Sequence, residues 1–152
     1  MSLSDWEANG WIVPHPTSRQ EIASLLGVVE RNLADAAVKG LSSDSRLGLA
    51  YQAALQLARL GLAAEGYRPQ RERAHERAIA SLQYTIAADP LLITVLDGVR
   101  KKRNRIVYEG TGIASDTEVQ EVFELATRLR QAVITWLEQR HPELYRPPHD
   151  PT

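Results

Sequence analysis

Between Ser43 and Gly66 the chain is apolar in almost every register. Leu47, Leu49, Ala50, Tyr51, Ala53, Ala54, Leu55, Leu57, Ala58 and Leu60 follow one another with few polar breaks. A helix apolar on most sides has to be surrounded by other elements, so this segment predicts a central helix of about Ser43–Glu65, ended by Gly66. Its alanines and Gly61 leave room for close neighbours. The rest of the chain supplies those neighbours.

Ser18, with Glu21 three residues later, reads as a capping box that starts a helix. Ile22, Leu25, Leu26, Val29 and Leu33 mark its buried face, and Gly40 is the expected stop. After a turn at Tyr67, Arg68 and Pro69, His75, Ala78, Ile79, Leu82 and Ile86 share one face of a helix from about Gln70 to Ala87. Asp89 and Pro90 open the next helix as N-cap and first helical residue, and Gly110 and Gly112 turn the chain after Glu109. Ser115 and Glu118 form a second capping box before a stripe of Val119, Val122, Phe123, Ala126, Leu129, Val133, Trp136 and Leu137, which Pro142 ends. No β-alternation and no repeat is evident. The expectation is an all-α fold, a five-helix up-and-down bundle at residues 18–141. An irregular arm (1–17) carrying Trp6 and Trp11 precedes it, and a mobile Pro-rich tail (142–152) follows.

At 152 residues with 24% charged residues and a net charge of -1, the chain fits one globular domain with no global attraction for polyanions. Any nucleic-acid or nucleotide binding has to be local. No cysteine is present, so disulfides and thiolate metal sites are excluded. The start, MSLSDWEANG, has neither a basic opening nor an apolar run, and no stretch is long enough to span a bilayer. The expectation is a cytoplasmic protein without membrane association.

One stretch concentrates positive charge beside a packing face. In the helix opened by Asp89, Leu92, Leu96, Val99, Arg103 and Ile106 recur at steps of three and four. Arg103 therefore stands in the apolar stripe, where a guanidinium needs an ion-pair partner, a cleft or another subunit. Arg100, Lys101, Lys102, Asn104 and Arg105 surround it, and together with Arg103 these are the candidate ligand-binding residues. For Arg103 the competing reading is a structural ion pair. For Lys101, Lys102 and Arg105 it is a solvated face near a helix C-terminus. For Tyr108 it is an interface aromatic. His75 is the one histidine in a predicted apolar stripe, either a satisfied, partly buried histidine or a base presented to Arg103. His15, His141 and His149 have no metal-ligand spacing, and no metal or cofactor is expected.

Arg103-Asn104 followed by Tyr108, late in a helix, resembles the motif of the HEPN (higher eukaryotes and prokaryotes nucleotide-binding) family. The alanine-rich segment AYQAALQLARLGLAAEG is similar to that family's central helix. The resemblance covers roughly residues 18–140. It implies a helical bundle forming a homodimer about a shared cleft, binding RNA or a nucleotide, and in some members partnered by a minimal nucleotidyltransferase. Many members are metal-independent ribonucleases of toxin–antitoxin systems. The candidate catalytic residues are then Arg103, Tyr108 and His75. The family's histidine is replaced here by Tyr108, and Gly110 stands where the toxin subset carries a tyrosine. Tyrosine, with a pKa of about 10 against about 6.5 for histidine, is a poor base near neutrality. Arg103 and Tyr108 also project roughly 140° apart at about 100° per residue, so they converge only if the helix end distorts or two subunits share the cleft. The expectation is phosphate binding without catalysis. The alternatives are an active ribonuclease, and a helical dimerisation or interaction protein with no nucleic-acid role.

Overall fold

The computed structural model describes residues 1–146. It contains α1 (Leu3–Ala8), β1 (Ile12–Pro14), α2 (Arg19–Ala36), α3 (Ser43–Ala64), β2 (Tyr67–Pro69), α4 (Ala74–Thr85), α5 (Pro90–Glu109) and α6 (Asp116–Arg140). The chain is mostly helical, and α3 is its centre. Thirteen residues of α3 are buried, and the helix touches α2, α4, α5, α6 and β2. Tyr51, Leu55, Leu57 and Leu60 meet Ile22 and Val29 of α2 and Leu125, Leu129, Val133 and Leu137 of α6 in one core. Burying each such side chain stabilises the fold by about 1.5–3 kcal/mol. Gly61 does what a small residue in this helix is expected to do: a Cβ there would lie 3.2 Å from the Thr85 hydroxyl of α4.

Residues 1–17 differ from the irregular arm expected. Ser2 accepts from the Asp5 amide while the Asp5 carboxylate accepts from the Ser2 amide, a capping box that starts α1. β1 pairs antiparallel with β2, Ile12 opposite Pro69 and Val13 opposite Arg68. The indoles do fold back: Trp6 is buried, edge-on to Trp11 and Tyr84 at 5.8 and 5.4 Å. Arg77 lies over the Trp11 ring at 4.8 Å. Strands of three residues are too short to show alternation, and both end in proline, which sequence reading demotes.

Among the described residues α1 is thus added ahead of the five helices expected, and several ends of those five move. α2 stops at Ala36, before Gly40, which is not among the positive-φ glycines; the left-handed glycine stop does appear at Gly66, with φ 90°. α4 starts at Ala74 instead of Gln70, because Tyr67–Pro69 is held by β1 and Arg73 adopts a left-handed φ of 54°. The Ser115–Glu118 capping box is complete. The Ser18–Glu21 box is half made. Ser18 accepts from the Glu21 amide at 3.1 Å, but the Glu21 carboxylate turns to Thr17 at 2.7 Å and His15 at 2.9 Å.

After α6, Leu144 and Tyr145 pack against the main core, so the first residues of the tail join the domain. Pro147, Pro148, His149 and Pro151, and with them the expectation of mobility there, lie outside the described residues. Among the described residues no helix is long and apolar enough to cross a membrane.

Candidate anion-binding site

The basic segment of α5 does not act as one cluster. Lys102 pairs with Glu118 at the start of α6. Lys101 and Arg100 both reach Asp97, at 3.5 and 2.7 Å. Arg105 is exposed and Asn104 half-buried. Arg100, Lys102 and Arg103 are all at least partly buried, in different surroundings. Among the described residues Arg103 has no ion pair. Its guanidinium lies 5.9 Å from the ring centroid of buried Tyr51, a cation–π arrangement. Within one chain, Arg103 thus meets an aromatic partner on α3 and not an ion pair across helices. Tyr108 is 88% exposed, and α5 stays helical through Glu109. Within one chain, Arg103 and Tyr108 therefore do not converge, as the 140° spacing requires.

A cavity of about 850 Å³ lies beside Arg100. Its walls come from α2 (Glu21, Leu25), α3 (Arg59, Ala63), β2 with the following turn (Tyr67 to Arg73), the first turn of α4 (Ala74, His75, Glu76) and Arg100 of α5, with His15 at its side. Five arginines face two glutamates in this lining, and Glu21 is already engaged by Thr17 and His15. The hydrogen bond from Thr17 and the charge of His15 outweigh partial burial and hold the Glu21 carboxyl below its usual range.

Arg59 is the residue that sequence reading missed. It sits in the apolar run of α3, its buried Nε has no hydrogen-bond partner, and among the described residues it makes no ion pair. The reasoning that singled out Arg103, a lone guanidinium on a packing face, applies equally to Arg59. The near-continuous apolar run around it masked that signal.

His75 joins this group. Burial first, then the charges of Arg59, Arg103 and Arg100, push its pKa below the ordinary histidine value. The structure thus brings His75 to the cavity wall and into the field of Arg103, which disfavours its charged form. Partial burial works to raise the Asp97 pKa, but the hydrogen bond and charge of Arg100, joined by Lys101, outweigh it and leave the carboxyl below its usual range. The Asp97 hydrogen bond raises Arg100 in turn. Burial raises the Tyr51 phenol against the opposing pull of Arg100, Arg103 and Arg59. Uncompensated cations beside a concave space attract an anion, and a guanidinium fork matches carboxylate or phosphate oxygens. His15 is taken by Glu21, and His141 lies against Glu65 and Glu143 at 3.3 and 3.2 Å. Among the described residues no three His, Asp or Glu side chains gather to hold a metal ion.

No protein-family model, curated protein or solved structure matches this chain.

Proposed function

We propose that this chain is a HEPN-like helical protein that binds the phosphate of a nucleotide or RNA in the arginine-lined cavity, without cleaving it. The observation that carries the reading is the cavity that Arg59, Arg100 and His75 line together, with the Arg59 Nε buried and unpartnered. The HEPN likeness is supported by the position of Arg103-Asn104 late in α5 and by the alanine-rich α3 ending at Gly66. In this reading α2 to α6 are the family's five helices, and α1 and the small sheet are additions. The absence of catalysis is supported by Tyr108, which is exposed and does not share a face of regular α5 with Arg103. The homodimer of this reading is supported by α5, which exposes Leu91, Val95, Val107 and Tyr108. A minimal nucleotidyltransferase remains the partner that the resemblance suggests.

The test is fluorescence polarisation of a labelled RNA oligonucleotide and of labelled ATP across a salt series. Affinity falls steeply with salt, because bound cations release counterions. Arg59→Gln and Arg100→Gln, both at the cavity wall, each weaken binding by about 1.5–3 kcal/mol, the range for a hydrogen bond to a charged group. Lys102→Ala, outside the cavity, leaves it nearly unchanged. Binding that ignores salt and Arg59 refutes the reading. Metal-independent RNA cleavage that vanishes in His75→Ala but survives Tyr108→Phe would instead assign His75 as the base of an active ribonuclease.

A further inference from the structure

The arginine-lined cavity carries a second kind of donor. α4 starts at its wall, and its first turn, Ala74 to Glu76, is part of the lining. The N-cap Arg73 is left-handed and offers no side-chain hydrogen bond to that turn. The first N–H groups of a helix have no intrahelical acceptor and carry the positive end of its dipole. Independently, Arg59 brings to the same cavity a guanidinium whose buried Nε lacks a partner. Two donor sets from different elements, one backbone and one side chain, are left without an acceptor beside one space.

We propose that this cavity takes a terminal phosphate monoester, carried by a free nucleotide or by the end of an RNA strand. The inference rests on the phosphate reading above and narrows it. A monoester is close to dianionic at neutral pH and presents three free oxygens. It can accept from the Arg59 fork and the α4 amides together. An internal phosphodiester has one charge, two free oxygens and chain on both sides. Residues of α2, α3, β2, α4 and α5 line this space, and its volume of about 850 Å³ lies in the range of small-molecule pockets. Leu25, Ala63 and Pro69 give it an apolar side for a base or sugar. The exposed Arg68 and Arg71 at the same lining draw anions toward it.

The experiment is isothermal titration calorimetry of the full chain with AMP, adenosine, 3′,5′-cyclic AMP, and one RNA hexamer with and without a 5′-phosphate. The monoester compounds bind at least about tenfold tighter than their partners without one, and Arg59→Gln removes most of that difference. AMP binding without a gain for the phosphorylated hexamer identifies a free nucleotide; the reverse identifies a strand end. Equal, salt-sensitive binding of both hexamers, with AMP no tighter than adenosine or 3′,5′-cyclic AMP, refutes the inference and leaves the broader phosphate reading standing. No binding of any probe refutes both. Because Arg59 is on the central helix, wild-type amide spectra with inorganic phosphate provide a measurement that needs no substitution. The Ala74, His75 and Glu76 amides shift most, and shifts centred elsewhere overturn the assignment.

Discussion

Tyr51→Phe should stabilise this protein, against the usual direction for a buried tyrosine. Tyr51 is wholly buried in α3, and its hydroxyl has no hydrogen-bond partner. A typical buried hydroxyl that makes a hydrogen bond loses about 1 kcal/mol when removed, whereas an unsatisfied one carries a desolvation cost of about 1–3 kcal/mol. Phenylalanine keeps the ring beneath the Arg103 guanidinium at 5.9 Å, so the cation–π contact is retained. Only the hydroxyl goes. The expected gain is about 1 kcal/mol, or about 2–4 °C in Tm for a domain of this size. Tyr51→Leu removes the aromatic face as well and should lose stability, by about 0.5–2 kcal/mol from the cation–π contact alone. Urea unfolding followed by tryptophan fluorescence reads both variants, and calorimetry checks the Tm. If Tyr51→Phe destabilises by about 1 kcal/mol or more, the hydroxyl is bonded and the reasoning fails.

His75 should titrate below the ordinary histidine value, because burial and then Arg59, Arg103 and Arg100 disfavour its charged form. The unfolded chain then binds the proton more readily, so stability falls as pH drops through the unfolded value of about 6.5 and levels off below the folded pKa. A histidine NMR titration checks this; Arg59→Gln should raise the value, and a wild-type midpoint at or above the ordinary one would sink the field argument. The exposed apolar residues of α5 predict a homodimer, so light scattering at micromolar concentration should report twice the chain mass. A persistent monomer, or a dimer unchanged by Leu91→Glu with Val95→Glu, would remove α5 from the interface.

Much of this chain was legible in order. The buried α3, the Ser115–Glu118 box, Asp89 with Pro90, and the Gly66 stop depend on residues within a few positions of each other. Helical periodicity and capping are local physics, so sequence suffices for them. The same locality explains the errors. Glu21 was read with Ser18, three residues away, but its carboxylate belongs to Thr17 and His15. Gln70 to Arg73 were read as helix, but β1, more than fifty residues earlier, pairs with Tyr67–Pro69 and holds the chain extended. The spacing of Arg103 puts it on a packing face, yet its aromatic partner on α3 carries no sequence signature. The basic run 100–105 looked like one patch because adjacent letters carry one charge. In space Lys102 goes to Glu118, Lys101 and Arg100 share Asp97, and Arg103 lies over Tyr51. The cavity belongs wholly to the tertiary structure. It joins Glu21, Arg59, His75 and Arg100 from four helices, and charges so distant in sequence acquire a common field only when packing excludes the water between them.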